Sequence, residues 1–271
     1  MQDAPANLLS VVIPMYRESA RIVPTVQDVI ATLRDRRTPS EVILVDDGST
    51  DDTVEAVQPF LTDAGDGSVE RVTLVRFEKN RGKGAAVRAG LAEARGGWRL
   101  MMDADNAARV AEVDKLLAHI AGNTGIVAGS RSMPESVVSA KTSRRLTGLI
   151  FKALLLGLGL RLARDTQCGF KLYRADVAEA IAKHGVEDRF AFDLEHLLLT
   201  QRLGTRVKEV GIRWRHVDGG QINPVADGLK MLVQAALIRL RDYGNPALPG
   251  RDKPAAQVEP KPTGVPASQR P

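Results

Sequence analysis

The sequence predicts an α/β protein with a mostly parallel sheet and helices on both of its faces. Over the first 105 residues, short apolar runs alternate with longer amphipathic stretches in the order β–α–β–α–β–α–β. A chain of 271 residues that is 44% hydrophobic can bury the core that such a layered domain needs. Ligands of parallel sheets bind at the carboxyl ends of the strands, so the residues after each apolar run are the first candidates for a site.

The elements follow in order from apolar periodicity and turn residues. Strands are expected at 8–14, 41–45, 71–77, 98–102 and 126–129, at the end of the 165–173 loop, and at 207–214. Helices are expected at 22–36, from the 49–51 turn to residue 61, from the 80–84 loop to residue 95, and at 111–121, 175–183, from 192 onward and at 229–240. Residues 244–271 hold half of the 14 prolines and few apolar residues, so we expect a disordered tail after a catalytic domain spanning 1–243.

Two carboxylates, Asp103 and Asp105, follow the fourth apolar run with a spacing of i, i+2. On a strand this spacing puts both side chains on one face, where their charges repel each other unless a cation intervenes. Mg²⁺ binds through one or two carboxylates together with substrate phosphates, so the pair predicts a metal–diphosphate site. The alternative is a turn in which one aspartate caps the next helix.

Other polar side chains also follow strands. Tyr16 and Glu18 come after the first strand, and Asp46 and Asp47 end the second. In a parallel sheet these residues converge with Asp103 and Asp105 at one edge, and this convergence favours a binding site over isolated turns.

The 80–84 loop, Asn-Arg-Gly-Lys-Gly, precedes a helix. Backbone N–H groups at a helix start, together with Lys83, are suited to binding an anion. The spacing is not that of a Walker loop, and a plain glycine turn with solvated charges is the alternative.

Two stretches are cationic and amphipathic. Between Ser136 and Arg164 there are six basic residues and no acidic one among many leucines, and 229–241 carries three more basic residues. This composition is typical of helices that lie on an anionic membrane surface, although a core helix with a solvated basic face has the same pattern.

Composition limits the remaining classes. The net charge is +5, but only 4% of residues are aromatic and no basic stretch is interleaved with aromatics, so we expect no nucleic-acid partner. A single cysteine, Cys168, fits a reducing compartment. The first residues do not resemble a signal peptide, and no apolar run reaches the roughly 18–20 residues of a spanning helix.

Four segments together resemble the family 2 glycosyltransferases of the GT-A fold, a Rossmann-like sheet. They are 12–18 (VIPMYRE), 45–51 (VDDGSTD), 82–84 (GKG) and 103–105 (DAD). Three longer segments are similar to the dolichyl-phosphate β-glucosyltransferases, namely 80–88 (NRGKGAAVR), 102–107 (MDADNA) and 165–172 (DTQCGFKL). The similarity extends over about residues 8–242, with C-terminal amphipathic helices at the membrane interface.

The resemblance implies an inverting transfer of a hexose from a nucleoside diphosphate sugar, with UDP-glucose favoured, to a dolichyl or polyprenyl phosphate. It implies Mg²⁺ or Mn²⁺ on Asp103 and Asp105, with Asp105 in the catalytic role. Nucleotide contacts are implied for Pro14, Tyr16, Glu18, Asp47, Lys83, Asp103 and Ala104, with Asp47 accepting from a base N–H. Because guanidinium groups suit phosphate, we expect Arg131, Arg144 and Arg145 to bind the acceptor phosphate.

Two departures from the family pattern bear on the substrates. Ala107 stands where related mannose synthases typically have Gln or His, which favours glucose. The glucosyltransferases usually have a Gly-Ser-Lys stretch where this chain has 219–221 (GGQ), so a lysine is missing.

The resemblance also bears on location. We expect no N-terminal anchor like that of the eukaryotic enzymes. The Ala/Arg/Val-rich composition fits a bacterial relative that is cytoplasmic and peripheral at the inner membrane face.

Three alternatives stay open from the sequence. A soluble family 2 transferase with a hydroxyl acceptor would need a general base, for which Asp165 or Asp193 is the candidate. A GDP-mannose-dependent polyprenyl-phosphate mannose synthase differs only in donor. A non-enzymatic nucleotide-sensing or membrane-binding module is disfavoured by the complete set of metal and nucleotide motifs.

Overall fold

The central element of the computed structural model is a seven-stranded sheet, in the order β3-β2-β1-β4-β7-β5-β8. The structure describes residues 7–62, 67–139, 162–217 and 233–243. The strands are β1 Leu9–Met15, β2 Ser40–Asp46, β3 Val69–Arg76, β4 Trp98–Met102, β5 Thr124–Ser130, β6 Val137–Ser139, β7 Phe170–Arg174, β8 Arg206–Gly211 and β9 Arg213–Arg215. β6 and β9 form a separate two-stranded sheet.

The helices flank this sheet. They are α1 Ile22–Arg36, α2 Thr53–Val57, α3 Lys83–Glu93, α4 Val113–Leu117, α5 Ala175–His184 and α6 Phe192–Arg202, and residues 233–240 are also helical. Short 3₁₀ turns occur at Gln58–Phe60 and Val110–Glu112.

The expectation of a mostly parallel sheet is confirmed. β1 pairs in parallel with β2 and β4, β2 with β3, and β5 with β8. Only β7 among the described strands of the main sheet runs antiparallel, between β4 and β5. The start of β7 therefore lies at the same edge as the ends of β4 and β5, which brings the 165–169 turn to the predicted site.

Two apolar clusters cover the two faces of the sheet. Because side chains alternate along a strand, Val11 and Ile13 of β1 pack on one face with α1, and Val12 packs on the other with α3. β1, β2 and β4 are buried along their whole length, as strands covered on both faces must be. This burial explains their nearly continuous apolar sequences.

Three elements differ from the sequence expectation. The helix expected to reach Leu61 ends at Val57, and the 3₁₀ turn that follows contains Pro59, which has no N–H to continue the α-helical ladder. The helix expected at 111–121 is a 3₁₀ turn followed by the five residues of α4. The strand expected at 207–214 is divided at Ile212 between the two sheets, since β8 pairs with β5 and β9 with β6.

The C-terminal amphipathic helix is present over its described part, 233–240. Ala235 and Ile238 are buried, whereas Val233, Leu237 and Leu240 are exposed. No helix in the described ranges is long and apolar enough to cross a bilayer. The cationic stretch at 140–161, which includes Arg144 and Arg145, and the tail at 244–271 lie outside the described residues.

Tyr243 attaches the end of the described chain to the domain. Its O–H donates to Glu195 Oε1 at 2.9 Å, and Glu195 Oε2 accepts from the backbone N–H groups of Val186 at 3.0 Å and Glu187 at 2.9 Å. Glu195 is fully buried, so each of these hydrogen bonds compensates a charge that has lost its water.

We expect truncation after Tyr243 to leave the melting temperature unchanged, because the proline-rich tail offers little apolar surface to bury. Tyr243→Phe in the same truncated chain should lower the free energy of unfolding by about 1.5–3 kcal/mol, the usual value of a hydrogen bond to a charged group. Scanning calorimetry of the full chain, the truncated chain and the truncated Tyr243→Phe variant checks both expectations. Equal melting temperatures for the truncated chain with and without Tyr243→Phe would show that the contact to Glu195 contributes nothing to stability.

Candidate active site

Residues from four strands meet at the carboxyl edge of the sheet. Pro14 lies near the end of β1 and pairs with Val45 of β2, so Tyr16 and Glu18 leave the sheet beside Asp47. β4 ends at Met102, opposite Phe170 of β7, which places Asp103 beside Gly169. The topology thus brings together the segments that the sequence predicted to converge.

Asp103 is fixed by contacts from two directions. Its N–H donates to the Gly169 carbonyl at 3.1 Å, and its Oδ1 accepts from Lys83 Nζ at 2.5 Å. Burial would lower the pKa of Lys83, but the negative charges of Asp103 and Asp193 outweigh it and raise the pKa. Lys83 is therefore a permanent cation against this carboxylate.

Gly169 is required by the position of the Asp103 carboxylate. A Cβ at residue 169 would overlap all three atoms of the Asp103 carboxylate group. The glycine thus lets the 165–169 turn approach Asp103 more closely than any other residue could.

Asp105 lies in the turn that follows. Its Oδ1 accepts from the Ala107 N–H at 3.0 Å, and Asn106 between them has a left-handed φ of 53°. The carbonyl of Ala104 accepts from Thr25 Oγ1 at 2.7 Å, which ties the turn to α1. Burial raises the pKa of Asp105, and the charge of Asp103 raises it further.

The residues of this turn fit a hard divalent cation. Asp103 and Asp105 provide carboxylate oxygens, and the raised pKa of Asp105 shows that its charge lacks full compensation within the protein. Among the described residues, no group of three His, Cys, Asp or Glu side chains is positioned to hold a metal. A cation here would complete its shell with water and diphosphate oxygens, which is how Mg²⁺ and Mn²⁺ sites of this type are built.

Glu18 adds a third acid near the pair. It accepts from Arg21 Nε at 2.8 Å. Burial is the main cause of its raised pKa, and Asp105 and Asp103 add to it while Arg21 opposes it. Tyr16 is 37% exposed, with the Arg17 guanidinium 5.2 Å from its ring centroid, so an aromatic surface lies open at this edge.

Asp47, predicted to contact the nucleotide base, contacts the basic glycine loop in this structure. Its carboxylate accepts from Asn80 Nδ2 at 2.8 Å, from the Arg81 N–H at 2.7 Å and from the Gly82 N–H at 2.9 Å. Burial raises its pKa although these bonds oppose the shift. In this structure Asp47 holds the basic glycine loop in place.

The glycine loop itself also differs from the expected anion cradle. Its N–H groups at Arg81 and Gly82 are used by Asp47, and the Ala85 N–H donates to the Asp188 carbonyl at 3.1 Å. Gly82 has a φ of 117°, and a Cβ there would overlap the same carbonyl. The cation that this loop contributes to the site is therefore the Lys83 side chain.

Asp165 and Arg131 form a two-pronged ion pair. Arg131 Nε and Nη2 donate to the two carboxylate oxygens at 2.8 Å each, and the Arg131 N–H adds a third bond at 2.8 Å. Burial would raise the pKa of Asp165, but the hydrogen bonds and charge of Arg131 outweigh it and lower the pKa. An acid held in this way is a weak proton acceptor, and two N–H groups of Arg131 are already committed.

Lys171 was not among the site residues predicted from the sequence. This lysine is fully buried, and its Nζ donates to Asp193 Oδ1 at 2.5 Å and to the Cys168 carbonyl at 2.7 Å. Burial raises the pKa of Asp193 despite the opposing charges of Lys171 and Lys83. A lysine inside the apolar Phe-Lys-Leu-Tyr strand was the available signal, because a buried lysine needs a buried acid. The pair supports the turn that carries Gly169.

Cys168 lies next to that glycine. It is fully buried, and burial raises the pKa of its thiol to about 12. This cysteine is a packing residue of the turn.

A comparison with known families decides the class. The family described as "Glycosyl transferase family 2" matches residues 10–182, which include β1, Asp103, Asp105 and the 165–169 turn. The chain belongs to glycosyl transferase family 2. The resemblance stated from the motifs is thereby confirmed.

Three curated relatives of this family 2 glycosyltransferase carry the name "Dolichyl-phosphate beta-glucosyltransferase". The protein of Saccharomyces cerevisiae is 32% identical over 254 residues, covering 88% of this chain and 76% of the relative. The Homo sapiens protein is 35% identical over 252 residues, covering 88% and 77%. The Drosophila melanogaster protein is 36% identical over 244 residues, covering 85% and 74%.

Solved structures confirm the GT-A-type fold of the family 2 domain. Glucosyl-3-phosphoglycerate synthase from Mycobacterium tuberculosis, in complex with Mn²⁺, UDP and glucosyl-3-phosphoglycerate, superposes with a TM-score of 0.64 at 20% identity, covering 86% of this chain and 80% of that one. Mannosyl-3-phosphoglycerate synthase from Rubrobacter xylanophilus gives 0.57 at 16% identity, covering 86% and 73%.

Gly169→Ala is expected to weaken binding of a divalent cation at the 103–105 turn, probed with Mn²⁺ and UDP, because the added Cβ displaces the Asp103 carboxylate while the strands around it stay paired. Isothermal titration of UDP with Mn²⁺ measures the loss, and circular dichroism checks the fold. Gly122→Ala is the control for backbone strain without a clash, since an added Cβ there meets nothing within 4 Å although the φ of 53° disfavours alanine. Normal UDP binding by Gly169→Ala would contradict the proposed contact.

Asp105→Asn is expected to raise the melting temperature of the metal-free protein at pH 7 while removing metal binding. The pKa of Asp105 is raised in the fold, so its charge opposes folding above the ordinary value of 3.8. The gain in melting temperature should decrease as the pH falls through the raised pKa of Asp105. It should vanish below 3.8, where Asp105 is protonated in both the folded and the unfolded state. A gain of about 1 kcal/mol corresponds to roughly 2–4 °C in a domain of this size.

Calorimetric melts between pH 3 and 8 test this expectation, and Asp35→Asn, an exposed acid on α1, serves as the control. A melting temperature that falls at pH 7 in Asp105→Asn would mean that the carboxylate stabilises the fold, which contradicts the charge repulsion inferred for it.

Proposed function

We propose that this glycosyltransferase passes glucose from UDP-glucose to a polyprenyl phosphate at a membrane surface, with inversion at the anomeric carbon. The observation that carries the proposal is the pair Asp103 and Asp105 at the sheet edge beside Lys83. This pair lies in a chain that is about a third identical, over most of its length, to relatives named dolichyl-phosphate β-glucosyltransferases.

The donor diphosphate binds against the 103–105 turn. Asp103 and Asp105 hold a divalent cation, Mn²⁺ or Mg²⁺, which when bound neutralises charge on the leaving nucleoside diphosphate. Lys83 provides a second cation next to Asp103. Pro14, Tyr16 and Glu18 line the same edge from β1, where the nucleoside lies, and Ala104 contributes backbone to the turn.

Asp47 acts indirectly in this arrangement. Because its carboxylate holds the 80–82 loop, it sets the position of Lys83 at the start of α3. These three donors leave one of the roughly four acceptor positions of the carboxylate for a base N–H, so the same residue can hold the loop and accept from the nucleotide.

The state of Asp165 favours a phosphate acceptor over a hydroxyl. A hydroxyl acceptor needs a general base, but Asp165 has a lowered pKa and is held by Arg131. The other candidate base, Asp193, is buried against Lys171. A phosphate monoester is already an anion near neutral pH, so it can attack without surrendering a proton to either residue.

The acceptor phosphate needs cations near the metal-binding turn. Arg131 stays a candidate if the phosphate shares its guanidinium with Asp165, and Arg144 and Arg145 are the other two that we propose. Through its ion pair with Asp165, Arg131 also orients the 165–169 turn. It would therefore both position that turn and bind the acceptor phosphate.

A peripheral membrane location, at the cytoplasmic face, agrees with the exposed side chains of helix 233–240. Val233, Leu237 and Leu240 lie on one exposed stripe at helical spacing, with Arg239 exposed beside them. An apolar stripe next to cations is the pattern of a helix that lies in the headgroup region of a membrane.

A donor and acceptor screen tests the proposal. UDP-glucose, UDP-galactose and GDP-mannose are each incubated with a short polyprenyl phosphate and Mn²⁺ or Mg²⁺, and products are identified by mass spectrometry. We expect a hexosyl phosphoprenol from UDP-glucose alone, lost on chelation and reduced at least 100-fold in Asp105→Asn, since one lost charge undoes the cation site.

Two results would redirect the proposal. Product from GDP-mannose alone would make the protein a mannose synthase. Transfer to hydroxyl acceptors with no transfer to polyprenyl phosphate would support the soluble family 2 alternative.

A further inference from the structure

The two short strands β6 and β9 form a ribbon outside the main sheet. They pair in parallel, with Val137 opposite Arg213, Val138 opposite Trp214 and Ser139 opposite Arg215. Because side chains alternate along strands, the outer positions Val137, Ser139, Arg213 and Arg215 share one face of the ribbon, which we call the ribbon face.

The ribbon face is open to solvent. Val137 is 63% exposed, and Ser139, Arg213 and Arg215 are also exposed. The face places one exposed apolar side chain, Val137, directly opposite Arg213 and diagonal to Arg215.

Within the described ranges, neither arginine side chain of the ribbon face has an ion-pair partner. The nearby acids are engaged elsewhere: Glu112 accepts from the Arg213 backbone N–H at 3.0 Å and pairs with Lys115, and Glu135 accepts from the Gly211 N–H at 3.0 Å. Two cations beside an apolar side chain are complementary to anionic headgroups above an acyl layer.

The opposite face of the ribbon is connected to the active site. The Arg131 guanidinium lies 5.3 Å from the centroid of the Trp214 ring, and Arg131 holds Asp165. The Arg215 N–H donates to the Ala107 carbonyl at 2.8 Å, and the Ala107 N–H donates to Asp105 Oδ1 at 3.0 Å. Two successive hydrogen bonds therefore join the ribbon backbone to the carboxylate proposed to hold the metal.

We propose that the ribbon face is a docking surface for the anionic leaflet of a membrane. The inference rests on the proposed function, since a lipid acceptor requires the protein to reach a leaflet, and it assigns that contact to a β-ribbon in addition to the amphipathic helices. Arg213 and Arg215 attract lipid phosphates, and Val137 enters the interface.

The connection to Asp105 gives the docking a consequence for catalysis. Docking of the ribbon face brings the 103–107 turn towards the leaflet, because the hydrogen bond from the Arg215 N–H to the Ala107 carbonyl joins that turn to the ribbon. A phosphate carried on a membrane lipid then reaches the metal-binding turn without leaving the bilayer surface.

Vesicle co-sedimentation of the full chain tests the proposal. Vesicles of phosphatidylglycerol and phosphatidylcholine are compared with vesicles of phosphatidylcholine alone. Arg213→Ala/Arg215→Ala should bind the anionic vesicles about 30-fold more weakly, since each cation near an anionic surface contributes about 1 kcal/mol. Arg213→Lys/Arg215→Lys should bind like the wild type, because a leaflet attracts charge of either kind.

The matched control is Arg206→Ala/Lys208→Ala. These two exposed cations have the same i, i+2 spacing on β8, the edge strand of the main sheet, so the change in net charge is identical. The control should lose little affinity. Val137→Asp, which keeps both arginines, should weaken binding even at high salt, where the charge contribution is screened.

The outcomes separate the inference from the proposed function. Failure of the wild type to bind anionic vesicles would overturn both the membrane location and the ribbon face. Wild-type binding by the Arg213/Arg215 alanine variant, or equal losses in it and in the β8 control, would overturn the ribbon face alone. Unchanged vesicle binding with a raised KM for a water-soluble short polyprenyl phosphate would assign the two arginines to the acceptor and also overturn docking.

Discussion

The concentration of negative charge at one edge of the sheet is the constraint on which this structure depends. Parallel topology brings acids from successive strands to the same edge, and each must be compensated to fold. Four of them have a cation, in the pairs Glu18–Arg21, Asp103–Lys83, Asp165–Arg131 and Asp193–Lys171. Asp47 accepts three hydrogen bonds from the 80–82 loop instead. Asp105 has one hydrogen bond and no ion pair in the described part of the chain, so the least compensated charge falls at the position suited to a divalent cation.

The antiparallel β7 makes this arrangement possible. A parallel strand at that place in the sheet would carry the 165–169 turn to the opposite edge, away from Asp103. Because β7 is antiparallel to β4 and β5, it begins at the site. Lys171, its second residue, stabilises the 165–169 turn through hydrogen bonds to Asp193 and the Cys168 carbonyl. One reversed strand thus joins the 103–105 turn to the Arg131–Asp165 ion pair.

The strands and the carboxylate edge were predictable because local signals determine them. Apolar runs that end in Asp, Pro or Gly define parallel strands, and parallel strands define a common edge. The partners of each side chain were not predictable in this way. Asp47 binding the 80–82 loop, Arg131 binding Asp165 and the buried Lys171 all depend on contacts between residues far apart in the chain.

The predicted element boundaries were wrong where strand pairing in the tertiary structure differs from the local sequence pattern. The apolar residues from Val207 to Trp214 read as one strand, but β9 leaves the main sheet to pair with β6. The motif resemblance supplied the nucleotide-site residues, and the structure adds protein contacts that the motifs did not predict, from Asp47 to the 80–82 loop and from Arg131 to Asp165. Sequence motifs identified where the chemistry occurs more reliably than which atoms each side chain contacts.

The burial of Cys168 has a practical consequence for spectroscopy. It is the only cysteine in the sequence, and burial both hides its thiol from solvent and raises the thiol pKa, which disfavours the reactive thiolate. The natural protein therefore behaves toward maleimides and nitroxide reagents as if it had no cysteine. A single cysteine placed on the surface can be labelled at one known position without altering the turn beside Asp103.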